Sequence, residues 1–159
     1  MTNRILSVAE ALRSALIGAG TSAGNRVYLA RIRPLTEDRR PLPNPTAPRT
    51  YITVQPLDTG IAGGDGPSLV QHIDWLATFG VDLHVRAKEA AWYPALMSLW
   101  AETHAALMAD QTQGLAYVVT TDPMEAGEPD PDPDGDMIHA EMRTVWRLHI
   151  RTSVESLES

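Results

Sequence analysis

From Ile73 to Ala87 the chain alternates apolar and polar residues. The odd positions read Ile73, Trp75, Ala77, Phe79, Val81, Leu83, Val85 and Ala87. The even positions carry Asp74, Thr78, Asp82, His84 and Arg86, with Leu76 the one exception. From Ile138 to Ile150 the even positions read Ile138, Ala140, Met142, Thr144, Trp146, Leu148 and Ile150, and between them lie His139, Glu141, Arg143, Arg147 and His149. Side chains on a strand point alternately to opposite faces, so each stretch predicts a long strand with one apolar and one polar side. A sheet of this kind buries one face in its own core and leaves the other for water, a partner or a lumen.

A different period governs two other segments. Ile5, Val8, Ala9, Leu12, Ala15 and Leu16 recur at steps of three and four, which predicts an amphipathic helix with Thr2 or Asn3 as its cap and Gly18 and Gly20 at its end. Residues 90–110 predict a second helix, with Leu96, Leu99, Trp100, Thr103 and Leu107 on one side, Pro94 in the first turn and Gln113-Gly114 closing it. Trp75, Trp92, Trp100 and Trp146 all fall at core-facing phases. Shorter strands are predicted at 26–32 (RVYLARI), 51–57 (YITVQPL) and 115–121 (LAYVVTT), with Pro56 marking a strand end and Gly80 a bulge. Three segments predict loops: proline-rich 33–49, glycine-rich 58–70 and acidic 122–136, followed at the end by a frayed tail, 153–159.

The order is therefore α-β-β-β-α-β-β. It predicts an α+β fold, one mostly antiparallel sheet of about five strands with two helices packed on one face. The 159 residues suffice for one domain, 1–159, with a real core.

Composition narrows the function. A net charge of -7 disfavours general nucleic-acid binding, since an acidic domain gains nothing from counterion release on phosphates. The absence of cysteine excludes disulfides, thiolate zinc sites and cysteine nucleophiles. No apolar run approaches the ~20 residues of a membrane span. Glu10 and Arg13 interrupt the apolar N-terminal stretch, which predicts a helix rather than a signal peptide and a product made in the cytoplasm.

Motifs for chemistry are few. Asp130 to Glu141 fits the calcium-loop formula D-x-D-x-D-G-x5-E. Yet Pro123, Gly127 and Pro129 preclude an entering helix, and Glu141 falls in a strand pattern, so a solvated acidic loop is the preferred reading. His72, His84, His104, His139 and His149 form no H-x3-H pair or HExxH. His84 and His149 share polar strand faces with acids, as solvated or interface histidines do. Asp58-Thr59-Gly60 matches the aspartic protease triplet but has no second lobe beside it, and a turn is the better reading. No P-loop or G-x-S-x-G elbow occurs, no cofactor is implied, and the expectation is a protein that is not an enzyme.

The order and pattern of VAEALRSAL, RVYLARI, YITVQPL, HIDWLATFGVDLHVRA, AWYPALMSLWAETHAALM and GDMIHAEMRTVWRLHI resemble the tail terminator proteins of long-tailed phages, the lambda minor tail protein U type. The resemblance spans nearly the whole chain. It implies a structural virion protein at the head-proximal end of the tail, assembled in the host cytoplasm. It implies a homo-oligomer, a hexameric ring that binds the tail tube protein, stops tube polymerisation and offers a surface to a head-completion or connector protein. DNA would only pass through the lumen. Charged residues of the loops and the polar strand face are the interface candidates: Arg39, Arg40, Arg49, Asp65, Glu128, Asp130, Asp132, Asp134, Asp136, Arg143 and Arg147. Two alternatives share the small α+β plan, another phage neck component and a ligand-binding or hydrolytic domain. The latter would need a concave pocket with convergent polar groups.

Overall fold

The computed structural model describes residues 3–30, 47–61 and 72–153. In chain order its elements are α1 (Arg4–Gly18), β1 (Val27–Leu29), β2 (Arg49–Ile61), β3 (His72–Lys88), α2 (Trp92–Met108), β4 (Val118–Ala126), β5 (Asp130–Asp134) and β6 (Met137–Ser153). The fold is α+β, as the pattern predicts. The sheet runs β1-β2-β3-β6-β4, with β5 also paired to β6. Among the described residues all pairings are antiparallel except β1 with β2.

The phase of the two long strands is the predicted one. Ala77, Phe79, Val81, Leu83, Val85 and Ala87 of β3 are buried, as are Ala140, Met142, Trp146, Leu148 and Ile150 of β6. They pack with Val8, Leu12 and Leu16 of α1 and with Leu96, Leu99 and Leu107 of α2 in one core. Besides Thr152, Thr144 is the polar residue buried on this face of β6. Its hydroxyl donates to the Val81 carbonyl at 2.7 Å and accepts from the Trp146 indole at 3.0 Å, so neither group is buried without a partner. Trp75 is half-buried and its indole donates to Thr152 Oγ1 at 2.8 Å.

Asn3 is the N-cap of α1; its side-chain oxygen accepts from the backbone of Ile5 and Leu6. Pro94 lies in the first turn of α2, as predicted. Beyond that helix, Gln113 (φ 52) and Gly114 (φ 71) turn the chain back. The Gln113 amide donates to the Leu107 carbonyl and to Thr121 Oγ1, tying the helix end to β4.

Several expectations are corrected. Trp100 is 37 % exposed. The buried stripe of α2 is Leu96, Leu99, Thr103 and Leu107, and Trp100 follows Leu99 by one residue, about 100° round the helix. Strand β1 is only Val27–Leu29, and residues 31–46, most of the predicted 33–49 loop, lie outside the described residues. Arg49 belongs to β2, which continues past Pro56 to Ile61, so Asp58–Gly60 is strand rather than turn. The remaining loop, 62–71, and the tail 154–159 are outside the described residues, while Ser153 ends β6.

The irregularity expected at Gly80 lies instead on the neighbouring strand, between Pro56 and Asp58 of β2, which pair with Phe79 and Thr78. The extra residue there, Leu57, lies over Gly80; a Cβ on Gly80 would stand 3.4 Å from its methyls. Residues 115–117 precede β4 rather than form it.

The largest correction concerns 122–136. It is not a loop. β4 pairs with the distal half of β6 and β5 with the proximal half, so the two form one interrupted edge strand. Gly127 bridges the break, its amide donating to the Arg143 carbonyl at 2.7 Å. Among the described residues the sheet therefore has six strands rather than about five.

The prolines of this segment do not bar it from the sheet, because pairing alternates. Gly135-Asp136 forms a two-residue turn with positive φ at Gly135 only, the II′ pattern. It closes on the pair Asp134–Met137. Alternation then puts Pro131 and Pro133 in the positions whose nitrogen faces away from β6, where a missing N–H breaks nothing.

Candidate functional site

The helices cover one face of the sheet. On the other, strand register lays the polar residues out in rows. One row runs Arg49, Arg86, His139, Asp132 across β2, β3, β6 and β5. The next runs Tyr51, His84, Glu141, Asp130, and the third Thr53, Asp82, Arg143. Farther along lie Thr78, Arg147, Asp122, then Leu76, His149, Thr120, and last Asp74 with Arg151.

Opposite charges meet across strands. Arg143 grips Asp82 with two nitrogens, at 2.8 and 2.9 Å, and Gln55 donates to the same carboxylate at 2.8 Å. The Arg143–Asp82 hydrogen bond raises the Arg143 pKa, against a smaller opposing effect of burial. Arg151 grips Asp74 in the same forked way, at 2.8 and 3.2 Å, and His149 Nε2 stands 3.3 Å from it. The Arg151 hydrogen bond, with added attraction from Arg151 and His149, holds the Asp74 carboxyl below the ordinary aspartate range. Arg86 lies 3.6 Å from Asp134, and His84 3.7 Å from Glu141.

The first two rows also hold a ring cluster. Tyr51 stacks on His84 with centroids 4.2 Å apart and planes 3° from parallel. His139 stands 5.9 Å from His84 and 6.3 Å from Tyr51. Tyr51 is buried although it faces away from the helices.

Beside the cluster a concavity of about 380 Å³ is lined by Asp130, Pro131, Asp132, His139 and Glu141. A second, of about 240 Å³, adjoins it through Asp130 and Glu141 and includes Asp82, Glu128 and Arg143. Both are half-open and mostly acidic. Among the described residues no three His, Asp or Glu side chains are placed to hold a metal together. The run that fits the calcium formula is a hairpin: Asp130, Asp132 and Asp134 line one side of β5 and Glu141 pairs across from Asp130.

The sequence-predicted interface residues divide as follows. Arg39, Arg40 and Asp65 lie outside the described residues. Arg49, Arg143 and Arg147 are on the polar face. Glu128, Asp130, Asp132, Asp134 and Asp136 are all exposed along the β5 edge and its turn. The structure brings Glu128, Asp130 and Arg143 around one concavity. It does not bring Arg147 there, because Arg147 sits opposite Thr78 and Asp122 toward the other end of β6. Buried Nε of Arg147 and Nη1 of Arg49 have no hydrogen-bond partner among the described residues.

Sequence reasoning missed Tyr51, Asp82, His139 and Glu141 as members of the site. Alternation put three of them on the polar side; only the strand register, which one sequence does not contain, sets them beside one another.

No family model matches the chain, and no curated protein matches it. Among solved structures, a chain from the "Virion of native gene transfer agent (GTA) particle" is similar, with 16% identity and a TM-score of 0.45 over 92% of this chain and 98% of that one. A likeness this loose carries neither fold nor function from one chain to the other.

Proposed function

We propose that this chain is a non-enzymatic structural protein of a phage-type virion, and specifically a tail terminator. It forms a ring, a hexamer, on the head-proximal end of the tail tube, stops tube growth and offers a surface for head joining. The observation that carries this reading is the construction of the sheet. Two helices close one face, and the other carries rows of charge that run into an exposed acidic edge. Its concavities are lined mostly by carboxylates and lack the apolar walls of a small-molecule site, which suits them to matching a charged surface. The resemblance of element order to the terminators supplies the particular role.

The β5 edge is the contact we assign to a neighbour. Asp130, Asp132 and Asp134 project from the polar side of one strand, and the outward backbone between them offers carbonyls without N–H groups because Pro131 and Pro133 stand there. An edge that only accepts hydrogen bonds selects a partner that only donates, such as arginine. Ring contacts of this kind are heterologous, one patch against a different one, and close by rotation.

The test is assembly. Purified protein is mixed with tubes of the tail tube protein encoded beside it, then followed by native mass measurement and electron microscopy. The expected result is a six-copy ring on one tube end and arrest of elongation. Protein that stays monomeric and never occupies a tube end overturns the reading. Binding to a portal ring instead of a tube assigns the chain to another part of the neck.

A further inference from the structure

We draw no further inference here: the strongest candidate, the exposed aromatic pair Tyr93 and Trp100 on the solvent side of α2, is an unpartnered helix face with nothing in the structure to show what covers it.

Discussion

The two faces of the sheet are made by the same strands and differ in everything else. On the helix side, β3 and β6 contribute a continuous apolar surface, and Phe79, Leu83, Trp146 and Leu148 are fully out of water. On the opposite side the same strands contribute ion pairs and histidines that remain partly wet; Arg143 is 49% exposed and its partner Asp82 17%. Burial of apolar area stabilises in proportion to the area removed from water. Exposed ion pairs contribute little, typically below ~1 kcal/mol each. The helix face therefore fixes the fold, and the polar face is left largely free to be shaped by what it must touch.

Mutations on the two faces sharpen that contrast. Trp146→Ala, on the helix face, is expected to destabilise by about 3–5 kcal/mol through the cavity it leaves. Denaturant unfolding measures it, and a loss below about 1 kcal/mol would show that the core does not rest on this residue. Thr144→Val keeps the volume but strips the Trp146 indole and the Val81 carbonyl of their shared partner. A loss of about 1–3 kcal/mol is expected, that of leaving a buried polar group unsatisfied. Equal stability of Thr144→Val and the parent protein would argue that another group takes over.

The polar face should respond more weakly. A double-mutant cycle on Arg143→Ala and Asp82→Ala is expected to return a coupling of about 1 kcal/mol or less, diminishing as salt rises. A coupling several times larger would erase the distinction between the faces.

Acid titration probes the same side. Asp74 is held below its ordinary range chiefly by the Arg151 hydrogen bond. A carboxylate depressed on folding adds stability above its unfolded pKa, and that stability is lost as pH falls through the folded value. The Asp74→Asn protein should therefore differ from the parent at neutral pH and converge on it well below about pH 4. A difference that persists unchanged in strong acid would rule out the ionised pair as its source.

The smallest effect on stability, and the largest on assembly, is expected at the β5 edge. Replacing Asp130, Asp132, Asp134 and Asp136 with Asn should shift unfolding by about 0.5 kcal/mol or less per site, since all four are exposed. Under the proposed terminator role, tube capping should weaken and tubes lengthen. Unaltered capping would remove the edge from the contact.

How much of this was legible in the sequence follows from the same contrast. The long strands were readable because one face is dry, and period-two alternation over many residues has no competing explanation. Helix α1 was readable for the corresponding reason at period 3.6. Strand β5 was not, because it has no dry face: its sequence, DPDPD, is acid and proline, the composition of a loop. It is strand only because β6 offers it a partner and because its prolines fall at the outward positions, a matter of register. Strand β4 was placed early and cut short for a related reason, since Asp122, Pro123 and Glu125 follow its one apolar patch. Trp100 has the size and hydrophobicity of a core residue, but its angle on α2, about 100° from Leu99, turns it to solvent. The rows of the polar face were half legible: alternation told which residues share the side, but not that Tyr51, His84 and His139 meet.

The central position of β6 bears on how the protein is made. β6 follows the other five strands in sequence yet lies between β3 and β4, pairing from Lys88–Met137 out to His72–Ser153. Translation delivers it after all its neighbours. Until residues 137–153 have left the ribosome, one edge of β3 is without its hydrogen-bonding partner, and β4 and β5 have nothing to pair with. The β3–β6 pairing then closes late, over contacts far apart in sequence, which is slow compared with helix formation. For that interval the chain depends on its helices, or on a chaperone, to stay out of aggregates.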